Sequence, residues 1–229
     1  MRKIATVYIF SLILLILFAS YTHAEEATKN FLFNKENSLK EWQEKVFKNK
    51  VLYTVTPQQE DSFLGAKSEE ACSGLFYRVS FSPKKLPMIS WYWKVEKFPE
   101  KSGVLHGTDD KKGWIEKDDY AARVYVIFPS LNFRRTKCLE YVWDKDLPEE
   151  TIMTSPYFKN IKIIVAHSGE NKKGEWIFEE RNIVEDYKNT FGKIPKSKVG
   201  AVAIMTDTDN TLSTAEALYK NMRVGYKNE

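Results

Sequence analysis

The sequence predicts an all-β fold, a two-sheet antiparallel sandwich with one short helix near residues 183–191. Three observations carry this. From Phe31 onward, short runs of β-branched and aromatic residues are punctuated by Gly, Pro, Asn and Asp. Aromatic residues make up 14% of the chain, enough to fill a sizeable core between two sheets. Helical periodicity is concentrated in Ile183, Val184, Tyr187 and Phe191, which recur on one side before Gly192 ends the turn and Pro195 prevents its resumption.

Strands are expected near 31–33, 42–47, 51–56, 75–81, 88–95, 121–128, 137–143, 161–166, 176–181, 199–206 and 215–224. Their alternation assigns faces. Ile89, Trp91, Trp93 and Val95 share one side, so the tryptophans point inward, while Ser90, Tyr92 and Lys94 share the other. Likewise Ala122, Val124, Val126 and Phe128 face the core, and Arg123 and Tyr125 take the opposite face. The stretch 99–118, rich in Gly, Lys and Asp, reads as an exposed loop.

The N-terminus has its own logic. Arg2 and Lys3 precede an apolar run from Ile4 to Ala19, and Ser20 to Ala24 supply a polar segment ending in a small residue. A basic start followed by about 15 apolar residues is the pattern of a secretory signal, and the run is short for a bilayer span. The expected organisation is a signal peptide over 1–24 and a single β-sandwich domain over 25–229, periplasmic or secreted. Losing Arg2 and Lys3 lowers the net charge from +4 to +2. Such a balance, with both signs interspersed, makes no case for nucleic acid, and no second apolar run is long enough for a membrane span.

An exported compartment permits Cys72 and Cys138 to pair; two separately buried thiols are the equal alternative. The turn after Met205 gathers Asp207, Asp209 and Asn210, hard oxygen donors suited to a structural calcium ion, although the same residue types build ordinary tight turns. Asp118 and Asp119 precede the strand bearing Arg123 and Tyr125, a grouping able to hold a polar ligand by charge-assisted and stacking contacts, or to form a weak surface ion pair. Glu140 and Asp144 are conceivable glycosidase carboxylates, but four residues along a strand is about 13 Å, too far for a retaining pair. No Gly-x-Ser-x-Gly elbow, His-Glu-x-x-His pair or phosphate-cradling glycine loop occurs.

Four motifs in order are Cys72-Ser73-Gly74-Leu75, the run from Pro87 through Trp91-Tyr92-Trp93 to Val95, the run from Asp118 to Val126, and Asp186-Tyr187 with Phe191-Gly192 and Ala203 to Thr211. On these the chain resembles a bacterial family of exported proteins catalogued as domain of unknown function 3047. The resemblance implies one exported domain, similar to the jelly-roll modules that accompany carbohydrate-active enzymes, with no assigned activity. It also implies polar roles for Asp119, Arg123, Asp207, Asp209 and Asn210. One departure is Asn221, where the family usually carries an acid.

The leading expectation is a non-catalytic binding module for a glycan or other polar cell-envelope ligand, contacted by Asp119, Arg123, Tyr125, Tyr92 and Trp114. The alternatives are a hydrolase of envelope polysaccharide using Asp118, Asp119 or Glu140, and a scaffold that binds another protein.

Overall fold

A computed structural model describes residues 28–58, 61–101 and 118–226. The expected signal segment 1–24, most of the loop 99–118 and Trp114 lie outside the described residues. Among the described residues, thirteen strands and one α-helix follow one another as β1 (Lys29–Phe31), β2 (Trp42–Lys48), β3 (Leu52–Thr56), β4 (Phe63–Glu69), β5 (Cys72–Phe81), β6 (Met88–Lys97), β7 (Ala122–Phe128), β8 (Lys137–Asp144), β9 (Ile152–Thr154), β10 (Ile161–Ser168), β11 (Ile177–Asn182), α1 (Ile183–Phe191), β12 (Val199–Asp207) and β13 (Thr214–Gly225).

One sheet runs β11-β6-β13-β4-β3, with β1 against β13, and the other runs β2-β5-β12-β7-β8-β10-β9. The chain steps from sheet to sheet through β4, β5, β6 and β7, and again through β11, β12 and β13, which lays down β4-β13-β6-β11 in one sheet and β5-β12-β7 in the other. That wound path makes the sandwich a jelly roll. The expected antiparallel pairing holds with one exception: β8 and β10 run parallel, Ile161 opposite Cys138. The chain between them turns back through β9, which pairs antiparallel with the far side of β10.

The core lies between the sheets and is aromatic. Trp91, Trp93 and Val95 of β6 are fully buried, as alternation requires. Trp91 meets Tyr141 at 5.3 Å and Trp93 meets Trp143 at 6.0 Å, joining the sheets ring to ring. The helix forms over the expected residues. Asn182 caps its first turn by accepting from the N–H groups of Val184 and Glu185, and Gly192 ends it at φ 69°. Tyr187 packs it edge-on against Phe128, 4.7 Å between centroids.

The seven-stranded sheet is covered on its outer side as well. Tyr125, Ile127, Cys138, Ile161, Ala201, Ala203 and Met205 form a second apolar cluster there, with Phe47 and Phe158 packed on it. Every residue of β7 is buried as a result, so Arg123 is not the solvent-facing residue that alternation alone suggests. Cys72 and Cys138 are free thiols. Strands β12 and β7 separate theirs, a gap of three strand spacings or about 14 Å, beyond the reach of a disulfide. The alternative of two separate thiols therefore stands and the pairing does not. No helix among the described residues is long and apolar enough to cross a membrane.

Because Trp93 touches both Trp91 and Trp143, Trp93→Ala should cost about 3–5 kcal/mol of stability, read as a lower denaturant midpoint. A loss below about 1 kcal/mol would contradict the ring-to-ring core.

Candidate functional site

Register assembles a buried ion cluster from three neighbouring strands. Arg123 on β7 lies opposite Val142 on β8 and Met205 on β12. Two residues further along each neighbour, on the same face, stand Glu140 and Asp207. The Arg123 Nε donates to Asp207 Oδ1 at 2.7 Å and Nη2 to Asp207 Oδ2, a bidentate pair, while Nη1 donates to Glu140 Oε1. Nη2 also donates to the Asp118 carbonyl at 2.6 Å. The Tyr120 ring stacks under the guanidinium at 4.6 Å, and Lys101 approaches the same ring at 3.9 Å. The expected alternative of a weak surface pair is thereby corrected: the residues are buried because the outer sheet face is covered.

The other sheet holds this cluster from behind. Tyr219 of β13 donates its hydroxyl hydrogen to the Met205 carbonyl at 2.8 Å, and its hydroxyl oxygen accepts from the Arg123 backbone N–H at 3.2 Å.

Asp119 serves the adjacent turn. Its carboxylate accepts from the Asn210 and Thr211 N–H groups, the Asn210 amide and the Thr211 hydroxyl, the last at 2.7 Å. It is fully buried and its oxygens are engaged, so it shapes the 208–213 turn. Asn210 is engaged too, since its Oδ1 accepts from the Tyr157 hydroxyl at 2.7 Å and its Nδ2 donates to Asp118 O and Asp119 Oδ1. Of the three expected calcium donors, Asp207 is bound to Arg123 and Asn210 to this turn. Asp209 remains, with the Cys72 thiol and Asp207 close enough that one ligand atom of each lies within 4.8 Å of the others. A thiol and an arginine-bound carboxylate make a poor donor set for a hard ion that takes six to eight oxygens.

Over the cluster opens a cleft of roughly 230 Å³. Tyr125, Tyr157 and Phe47 bring rings to its wall; Asp118, Glu140, Asp207 and Asp209 bring carboxyl groups. Asp118 is the group whose chemistry is unspent: its Oδ1 is buried without a hydrogen-bond partner and stands 3.8 Å from Arg123 Nη1. Burial drives its carboxyl up to about 8; Arg123 opposes the rise, while Glu140 and Asp119 add to it. Burial also raises the Cys72 thiol well above its usual range, so it is a neutral, unreactive wall.

The structure brings Arg123 and Tyr125 to the cleft, with Asp119 buried behind the turn beside it. It does not bring Tyr92, whose strand β6 belongs to the other sheet and which packs on Phe178 at 4.9 Å on that sheet's outer side. Asn221 is likewise remote from the cleft lining, exposed at a bulge in β13 with φ 51°. Asp118, expected beside Arg123 and Tyr125, does line the cleft, whereas Tyr157 is a lining ring that no sequence pattern points to. Asp144 goes to a different task, holding Lys101 at 2.9 Å and the N–H groups of Asp146 and Leu147.

Residues 40–223 match the family described as Protein of unknown function (DUF3047). The chain belongs to this family. No curated protein matches it. Among solved structures, this family member is similar to the family 11 carbohydrate-binding module of the cellulosomal cellulase Lic26A-Cel5E of Clostridium thermocellum, at 10% identity and TM-score 0.42, covering 82% of this chain and 89% of that one. It is also similar to the CBM22-1 xylan-binding domain of Paenibacillus barcinonensis Xyn10C, at 11% identity and TM-score 0.41, covering 90% and 100%. The K2 cleaved adhesin domain of Lys-gingipain matches at 10% identity and TM-score 0.43, covering 86% and 99%.

Two predictions follow from the cluster. Arg123→Met leaves Glu140 and Asp207 buried without their cation and should cost about 3–5 kcal/mol, measured by urea unfolding. A neutral result would show that the pair is not desolvated. For Asp118, the native state keeps its proton up to about pH 8, whereas the unfolded chain releases it near 3.8. The unfolded state thus holds fewer protons in that window, and this group's contribution to stability falls as pH rises from about 4 to 8, then levels. Asp118→Asn should flatten that fall in a Tm-against-pH series; identical slopes would contradict the assignment.

Proposed function

We propose that this chain is an exported, non-catalytic binding module for a glycan or another polar cell-envelope ligand, and that the cleft over Arg123 is its binding site. One observation carries the reading: Asp118, which has a buried oxygen without a hydrogen-bond partner, lines a cleft of roughly 230 Å³ whose walls include Tyr125, Tyr157 and Phe47. A buried acceptor without a partner is costly, and a ligand hydroxyl or amine would satisfy it. Rings beside hydrogen-bonding groups suit the two characters of a sugar, apolar C–H faces and polar edges. Export rests on the pattern of residues 1–24.

Hydrolysis of a glycoside needs two carboxyl groups available to the bond. Here Glu140 and Asp207 are held by Arg123 and Asp119 by the turn, so of the three acids expected for hydrolysis, Asp118, Asp119 and Glu140, Asp118 alone is left. Binding is therefore the better-supported reading.

The chain lacking residues 1–24 should be retained on cell-envelope polysaccharide, and Tyr157→Ala should weaken retention about tenfold, the scale of one aromatic contact. Absence of retention on every envelope glycan tested would overturn the reading.

A further inference from the structure

The cleft carries more negative than positive groups. Glu140, Asp207 and Asp209 line it against Arg123 and Lys48, and Asp118 adds a fourth carboxyl that holds its proton up to about pH 8 until a cation reaches it. The guanidinium is already spent on Asp207, Glu140 and the Asp118 carbonyl. Lys48 Nζ is turned to the Asp209 carbonyl at 2.7 Å. The buried guanidinium is thus committed, and Lys48, exposed at the rim with one of its three N–H groups used, is the single cation left to an anion, so a carboxylate or phosphate on a glycan would enter against the excess of acids.

Resting on the binding reading above, we infer that the ligand's distinguishing group is a protonated amine: the cleft recognises a glycan bearing a free amino sugar. Asp118 Oδ1 has no hydrogen-bond partner, and an ammonium brings three donors and a positive charge that favours the ionised carboxylate as their acceptor. Asp209, half-buried at the same cleft, is a second carboxylate for it. Tyr125 and Tyr157 also line the cleft, and an aromatic ring attracts a cation and can stack on a sugar. A bare metal ion fits less well. Metal sites close around the ion at about 2.0–2.6 Å with uncommitted oxygens, whereas this cleft is roughly 230 Å³ and Asp207 is already bidentate to Arg123. A neutral N-acetyl sugar would bring no charge to draw the proton from Asp118 or to answer Asp209.

Isothermal titration of the chain lacking residues 1–24 separates the possibilities. The probes are a glucosamine oligomer with free amines, its fully N-acetylated counterpart of equal length, and calcium chloride. The free-amine oligomer should bind at least about tenfold tighter than the acetylated one, the scale of one charge-assisted hydrogen bond, with affinity falling as salt rises. Asp118→Asn and, independently, Asp209→Asn should each erode that preference. If the acetylated oligomer binds as well or better, the amine inference fails while the binding reading stands. Binding of neither oligomer, with no other envelope glycan retained, removes both. Calcium that saturates the site and competes with the amine would overturn the inference in favour of a metal site.

Discussion

Arg123 is the constraint around which this sandwich is organised. A guanidinium buried in the middle of an apolar sheet would be expensive to desolvate alone, and it is tolerated here because every neighbour supplies an acceptor. Asp207 comes from β12, Glu140 from β8 and a carbonyl from the chain entering β7. Those strands must be in register before the charge is matched, so the cluster discriminates against slipped pairings of the β8, β7 and β12 trio. Tyr219 extends the same constraint across the core, tying Arg123's backbone and the Met205 carbonyl to the opposite sheet.

The cluster also explains why the cleft exists. The outer face of the seven-stranded sheet is covered by Phe47, Phe158 and the chain beyond β8, which buries Ile127, Ala201 and Met205. Where that cover meets the ion cluster, matching is complete for Arg123 and incomplete for Asp118. Asp119, the adjacent acid, shows the contrast: with several donors from the 208–213 turn it is a structural anchor. Two consecutive carboxyl groups thus take different roles because one accepts from a turn full of N–H groups and the other, on a residue that lines the cleft, has an oxygen with no donor.

Much of the fold was legible in the chain. Alternation in β6 put Trp91 and Trp93 inward, and the helix from Ile183 to Phe191 was readable through its periodicity and its glycine stop. Strand β4 was not, because Phe63–Glu69 contains Gly65, Ala66 and Lys67 in place of β-branched residues and is held by pairing with β13 and β3. Strand β9 is three residues long, and the parallel pairing of β8 with β10 depends on a connection that no local pattern encodes. In the site, alternation set Arg123 and Tyr125 on one face. It could not say that this face is covered, that Tyr92 belongs to the other sheet, or that Glu140 and Asp207 flank Arg123, since those facts depend on strand order and register. Charged residues set among apolar ones were the available signal: Arg123 in β7, Glu140 within β8 and Asp207 closing β12.

The central claim is that the cleft over Arg123 is where a ligand binds, and that the ion cluster beneath it is the floor of a site. Amide chemical-shift mapping during titration with soluble envelope glycan tests this most directly. The account predicts shifts concentrated at Asp118, Tyr125, Glu140, Tyr157 and Asn210, with Tyr92 and Phe178 on the other sheet unaffected. Shifts confined to the Tyr92 and Phe178 face would contradict it.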